Sequence, residues 1–363
     1  MAVQVAPSAL ESRRSSRSSD PAGPTFVHQT GPSGPRRRPH RAATLLLTAL
    51  IVAAAGSAGV LITAQQQVTR IARVKGLENV LSPPNANVEN YLLVGSDSRA
   101  GEDPSSPDFG GIGGVDTVNG SRSDTIMVLR RDLAGGPTSL LSLPRDLWVD
   151  IPGRQNKSRI NAAYQDGPAV LIQTVQQSLG IPIQHYVEVD FQGFKSLVDA
   201  IGGVRVCFIS PARDTHTGLN IPVPGCFVLD GIQGLAYARS RHYETYENDM
   251  WKEDPSSDLG RIKRQQQFIN TALQAALAKV KGNPLTAGDV LVSSTGALRL
   301  DSQLDVLGAA SALRGAVGSG LKTFSPPVVG KTINGNAVLV FGAGAQAFLD
   351  YFSGVSNTPP VSA

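Results

Sequence analysis

Apolar positions fall into one long run and several short ones, and each predicts a different element. The long run, AATLLLTALIVAAAGSAGVLIT at 42–63, holds 22 residues without a charge, enough to span a bilayer, which takes roughly 20. Three short runs, NYLLVG at 90–95, TIMVLR at 125–130 and LLSL at 140–143, predict strands, with the turn-like RDLAGGPTS between the second and third. HYVEVDF at 185–191 alternates with period two, which predicts a strand with one buried face. INAAYQDGPAVLIQTVQQSLG at 160–180 is helix-like and largely apolar. FKSLVDAIGG at 194–203 predicts a short helix closed by glycine, and VRVCF after it a strand. In LDGIQGLAYARSRHYE, Asp230 and Gln233 make a capping-box-like start for a helix that ends near Arg239 and Arg241. In DLGRIKRQQQFI at 258–269, Asp258 can cap the next helix, and Ile262, Gln266, Ile269, Leu273, Leu277 and Val280 follow one packing stripe. Arg261 and Gln265 are i, i+4 neighbours beside that stripe. Lys263 lies on another azimuth and is expected in solvent.

The first three strands carry charge at their ends in a regular phase. Asp97 and Arg99 follow the first strand, Arg122 and Asp124 precede the second, and Arg145 and Asp146 follow the third. If the second strand runs antiparallel to the other two, all three Asp/Arg pairs meet at one edge of the sheet. The Gly-rich loop at 100–120 joins the first two strands at that edge, where it could act as a lid. Any one pair would pass for an ordinary salt bridge; random surface charge has no reason to keep this phase.

Composition changes the picture in two respects. A chain of 363 residues with 41% hydrophobic content allows one large domain or two ordinary ones with a sizeable core. The net charge of +4 hints at nucleic acid, but seven arginines stand before Ala42 against Glu11 and Asp20, so that segment holds +5 and the remainder −1. No nucleic-acid partner is expected. Residues 1–41, rich in Ser, Pro and Arg, predict a disordered basic cytoplasmic tail. The flank RRRPHR before the long apolar run places the N-terminus inside, which makes 42–64 a single-pass signal anchor in the plasma membrane with the remainder extracytoplasmic. A cleaved signal peptide fits less well, because the run is long and no clean A-x-A site follows. Residues 65–88 are expected to be a stalk, 89–350 the catalytic domain, and 351–363 a tail. Cys207 and Cys226, both on the outer side and with no ligand-spaced partner, are expected to form a disulfide.

The candidate site gathers Asp97, Arg99, Arg122, Asp124, Arg145, Asp146, Arg239, Arg241, Arg261 and Gln265. Its cations are all arginine, whose planar fork of donors fits phosphate. Two aspartates among them would repel phosphate unless a divalent cation stood between, and Mg²⁺ is commonly held by one or two carboxylates plus substrate phosphates. These residue types together describe a diphosphate site with Mg²⁺. Other chemistry is poorly supported. There is no G-x-S-x-G and no G-x-x-x-x-G-K-[ST], and the five histidines show no H-E-x-x-H spacing. His242, beside Arg241, is expected to be a surface residue without a role.

The segments LLVGSDSR, RSDTIMVL, SLPRDLWVDIPG, RINAAY, HYVEVDFQGF, LAYARSRH and DLGRIKRQQQFI resemble, in order, the motifs of the LytR-CpsA-Psr family. The resemblance covers about residues 90–277. It implies an α+β fold, an αβα sandwich around a mostly antiparallel sheet preceded by one transmembrane helix, with an apolar pocket for a polyprenyl chain. It also implies a membrane-anchored, Mg²⁺-dependent phosphotransferase that moves a glycopolymer from a polyprenyl-diphosphate carrier onto peptidoglycan or another wall acceptor. On that footing Asp97 and Asp124 hold Mg²⁺, and Arg99, Arg122, Arg145, Arg239, Arg241, Arg261 and Gln265 hold the diphosphate, with Asp97, Arg122, Asp124, Arg145 and Arg261 at the chemistry. The rivals are a hydrolase at the same site and a non-catalytic regulator of the cell envelope.

Overall fold

The computed structural model describes residues 68–98, 105, 108, 123–282, 295–306, 308–309 and 321–361. The expected cytoplasmic tail, the membrane span, most of the Gly-rich loop, Arg99, Arg122 and the side chain of Asp124 lie outside the described residues. No helix among the described residues is long and apolar enough to cross a membrane.

In chain order the elements are β1 (Ala72–Val74), β2 (Val88–Ser96), β3 (Ser123–Asp132), β4 (Ser139–Leu143), β5 (Trp148–Val149), β6 (Ser158–Arg159), a 3-10 turn (Ile160–Asp166), α1 (Pro168–Leu179), β7 (His185–Val189) and α2 (Phe191–Ala200). Then come β8 (Val204–Phe208), β9 (Ala212–Asp214), β10 (Leu219–Ile221), β11 (Gly225–Leu229), α3 (Gly231–Arg239), β12 (Glu244–Glu247), β13 (Met250–Glu253) and α4 (Ser257–Gly282). The chain finishes with β14 (Leu298–Asp301), β15 (Lys322–Phe324), β16 (Val328–Ile333), β17 (Asn336–Phe341) and α5 (Ala345–Ser353).

Seven strands form the central sheet in the order β1-β14-β7-β2-β3-β4-β15. The meander β2-β3-β4 is antiparallel, as the charge phase requires. The sheet as a whole is mixed, not mostly antiparallel, because β7 joins β2, β14 joins β1 and β15 joins β4 in parallel. Those strands arrive over long connections, which do not force the reversal that a short hairpin does.

Period-two alternation puts Leu92, Val94, Ile126, Val128 and Leu141 on one face, packed with Leu171, Ile172 and Val175 of α1 and Phe348 and Phe352 of α5. Tyr91, Met127, Leu129 and Leu140 line the other face, where Ile269 and Leu273 of α4 pack. Each fully buried side chain of this size contributes about 1.5–3 kcal/mol. The sheet therefore has helices on both sides.

Three expected boundaries move. The stalk is already folded from Val68: Ile71 and Leu77 are buried and β1 pairs with β14, so this stretch completes the core. The tail begins later than 350, because α5 runs to Ser353 and carries Tyr351 and Phe352 into the core. The helix-like stretch 160–180 is broken at Gly167, which adopts φ +106 before Pro168, the first residue of α1. A residue before proline is disfavoured in the helical region.

A smaller module packs Val204, Val206 and Phe208 of β8 with Leu229, Tyr237 and Phe268. Here Cys207 and Cys226 stand directly opposite on the antiparallel pair β8 and β11 and are joined in a disulfide. Their sequence separation of 19 gives about 3 kcal/mol in the chain-entropy description. Thiol labelling of the denatured, unreduced protein is expected to find no free cysteine; two labels per chain would refute the bond.

Candidate active site

Strands β2 and β4 end, and β3 begins, at one edge of the sheet, with Ser96 opposite Ser123 and Ile126 opposite Leu143. Strand β7 ends there too, with Gly95 beside Val189. The edge thus collects Asp97, Asp124, Arg145, Asp146 and, unforeseen from sequence, Asp190. The register steps from Gly95 opposite Thr125 to Ser96 opposite Ser123, so Asp124 is the extra residue of a bulge, a device that re-aims a side chain near functional sites. Asp190 ends β7 and caps α2, its carboxylate accepting from the Gly193 backbone N–H. Burial raises the Asp190 pKa, with the Gly193 hydrogen bond opposing.

The arginines converge on a carboxylate that the sequence pattern placed elsewhere. Asp258 sits inside the first turn of α4 instead of capping it. Its Oδ1 is 2.8 Å from Arg261 Nη2, 3.2 Å from Arg241 Nη2 and 4.0 Å from Arg145 Nε. Three positive charges around one negative leave the cluster cationic. Asp146 offsets little of this, because it is shared between Arg145 at 3.7 Å and Arg159 at 3.4 Å. Arg241 Nε and Asp258 Oδ2 are buried with no hydrogen-bond partner among the described residues. Buried polar atoms left in that state are costly, and an anionic ligand would satisfy the guanidinium.

The loop that carries Arg241 hangs from one buried residue. Asp214 Oδ2 accepts from Ser240 Oγ (2.7 Å), Arg241 N (3.0 Å) and His242 N (3.0 Å), and its Oδ1 accepts from His216 N (2.9 Å). Arg264 holds the same loop from below, donating to Ser240 O and to Asp254 and lying over the Tyr243 ring. Burial works against ionisation of Asp254, but hydrogen bonds from Ser256 and Arg264 outweigh it and keep the carboxyl below the usual carboxylate range. Gln265 Nε2 donates to Thr125 Oγ1 and Ala238 O, both at 3.0 Å. Its amide hydrogens therefore brace β3, α3 and α4 together. Lys263 is exposed, as the helix azimuth predicts.

Behind this mouth lies a cavity of about 500 Å³. Its wall is apolar, built from Leu93, Met127, Val187, Phe194, Leu197 and Phe268 among others, while Arg239, Arg241, Arg261, Gln265 and His242 reach it at the polar end. Arg239 lies over the ring of Phe191, 4.5 Å from its centre. Asp97 and Arg145 stand near the mouth without lining the cavity. The structure thus brings Arg145, Arg239, Arg241, Arg261 and Gln265 together, with Asp258, Asp214 and Arg264 beside them, and it turns the Gln265 amide donors to Thr125 and Ala238.

The LytR_cpsA_psr family matches residues 58–348. The probable cell wall biosynthesis protein LcpB of Corynebacterium glutamicum is 39% identical over 188 residues, 52% of this chain and 42% of that protein. A polyisoprenyl-teichoic acid--peptidoglycan teichoic acid transferase TagU of Oceanobacillus iheyensis is 31% identical over 253 residues, 68% of this chain and 69% of that protein. In its match to LcpB the chain thus spans less than half of the relative's length. A solved LytR-Csp2A-Psr enzyme from Actinomyces oris superposes with a TM-score of 0.59 at 25% identity, covering 78% of this chain and 96% of that one. The motif order, the fold and these matches agree: the chain belongs to the LytR_cpsA_psr family.

Proposed function

We propose that the chain is a membrane-anchored phosphotransferase that moves a glycopolymer from a polyprenyl-diphosphate carrier onto a hydroxyl of peptidoglycan or another wall acceptor. The observation that carries this is one cavity with two chemistries: an apolar interior and an arginine-lined mouth. An amphiphile with a hydrocarbon tail and a diphosphate head matches both ends. The similarity to TagU, a polyisoprenyl-teichoic acid--peptidoglycan teichoic acid transferase, supports the same substrate class. The span expected at 42–64 would hold the site beside the membrane that supplies the lipid.

In this mechanism the polyprenyl chain lies along Leu93, Met127, Phe194 and Phe268. Arg241 and Arg261, set by Asp258, receive the phosphate oxygens, and Arg145 and Arg239 flank them. The acceptor oxygen attacks the sugar-proximal phosphorus, its bond to the oxygen bridging to the lipid-proximal phosphate breaks, and polyprenyl phosphate leaves. Guanidinium donors fixed before reaction stabilise the charge that develops on these oxygens, as in phosphoryl transfer generally. Asp97 and Asp124, whose backbones lie on adjacent strand ends, would supply the oxygen-only donors that suit Mg²⁺ when phosphates complete its shell; bound there, the ion would neutralise diphosphate charge.

The test is turnover of a polyprenyl-diphosphate glycan by the full chain, with Mg²⁺ and a peptidoglycan acceptor. The expected products are acceptor-linked phosphodiester glycan and polyprenyl phosphate. Release of free glycan instead would make the protein a hydrolase, and no turnover at all would favour a regulator.

A further inference from the structure

We propose that His242 is the base that takes the proton from the attacking acceptor hydroxyl; this rests on the transferase reading and deepens it. His242 reaches the cavity mouth beside Arg241. The backbone N–H groups of both residues bond the same buried oxygen, Asp214 Oδ2. The imidazole is therefore held on the same anchor as the phosphate-binding guanidinium. Its Nδ1 lies 2.7 Å from Glu253 Oε1 on β13. With Nδ1–H donating to that carboxylate, Nε2 carries the lone pair, the arrangement by which a carboxylate orients a histidine base.

Location selects this residue over its neighbours. A wall polymer is far too large for a cavity of about 500 Å³, so its hydroxyl must approach from the open side. His242 is 53% exposed and stands on that side. The carboxylates nearby are engaged: Asp258 by three arginines, Asp214 by the loop, and Asp190 by the start of α2. The groups that face the ring are Glu253, His216 with its ring centre 4.3 Å away, Asp214 and Arg241, with the Arg213–Glu244 pair next along the sheet. As the acceptor oxygen bonds phosphorus, its proton passes to Nε2. The phosphorus–oxygen bond to polyprenyl phosphate breaks with the electron pair on the leaving oxygen. The exposed ring then returns the proton to water.

The experiment measures transfer by the full-length wild type, His242→Gln and Glu253→Gln across pH, together with binding of farnesyl diphosphate as a short lipid-diphosphate probe. His242→Gln is expected to lower kcat by about 10²-fold, within the usual worth of a general base, and to abolish the acid limb of kcat/KM. Probe affinity should stay within about twofold, since a base contributes little to ground-state binding. Glu253, a positioning residue, should give a smaller loss when changed to Gln, with the acid limb shifted instead of absent. Wild-type transfer combined with an unaltered rate and acid limb in His242→Gln overturns this assignment alone. Absence of transfer by the wild type overturns the transferase reading and this assignment with it.

Discussion

Arg261→Ala is expected to lower glycan transfer by about 10²–10³, while Lys263→Ala stays close to wild type. The two cations are two residues apart on α4, yet the helix sends them to opposite environments. Ile262 and Phe268 are buried, which fixes the rotation of the helix and turns Arg261 to the cavity mouth. There it pairs with Asp258 at 2.8 Å. Removing one preorganised donor to a developing oxyanion costs roughly 2–4 kcal/mol of transition-state stabilisation, which is the rate factor stated. Truncation also leaves Asp258 with less compensation, so melting temperature must be followed and rates expressed per folded protein. Arg261→Lys should recover only part of the rate, because a single ammonium cannot copy the planar fork. Lys263 is exposed, and an exposed cation contributes little. Equal behaviour of the two alanine variants would show that the helix face is ordinary surface.

The parts of this site that are legible in the sequence are those set by strand direction and helix azimuth. Asp97, Asp124 and Arg145 can be placed at one edge because β2, β3 and β4 are consecutive and antiparallel. Arg261 and Gln265 can be placed together because they are one helical turn apart. Asp214 is not legible. Its role lies in bonds to residues 240–242, reached through the loop and α3, and nothing in ARDTHTG distinguishes it from a surface turn. Asp258 has a local signal, its i, i+3 relation to Arg261, but the same residue type in front of an apolar stripe equally signals a cap. The helix begins at Ser257, two residues before the start that an Asp258 cap would give, and that shift turns a cap into an ion-pair centre. His242 is hidden for the same reason as Asp214, since Glu253 meets it across the β12–β13 sheet and not along the chain.

The fold divides along similar lines. Period-two alternation is enough to find β2, β3, β4 and β7. It cannot find β1, whose three residues pair with β14 more than two hundred positions away, nor decide that three of the six pairings in the central sheet are parallel. At the C-terminus, Tyr351 and Phe352 resemble the end of a helix going into a polar tail. Their burial follows from partners on the sheet: the Arg130 guanidinium lies 4.2 Å from the centre of the Tyr351 ring, and Ser139 Oγ is 3.0 Å from its hydroxyl.

Asp97→Asn is expected to lower transfer by about 10³ and to remove its dependence on Mg²⁺. Asp97 is the first residue beyond β2, on a turn anchored from both sides. The Ser96 hydroxyl receives a hydrogen bond from Tyr164 OH at 3.2 Å and another from Ser98 N at 3.2 Å. On the neighbouring strand Ser123 stands opposite Ser96, and Asp124 is the bulged residue beside it. In the proposed mechanism, these two carboxylate-bearing residues on adjacent strand ends would let a hard divalent cation and a diphosphate share oxygen ligands. Asparagine keeps the size of the side chain and its acceptor oxygen but removes the charge. The loss of a metal's charge stabilisation is worth several kcal/mol, which corresponds to the rate factor stated. Initial rates over a Mg²⁺ titration, for wild type and variant of equal melting temperature, measure the effect. Calorimetric titration of Mg²⁺ into protein saturated with farnesyl diphosphate provides a readout independent of turnover, with a binding isotherm expected for the wild type and none for Asp97→Asn. A variant that retains the wild-type Mg²⁺ response in both measurements would place the ion elsewhere and leave Asp97 a structural residue of the β2 turn.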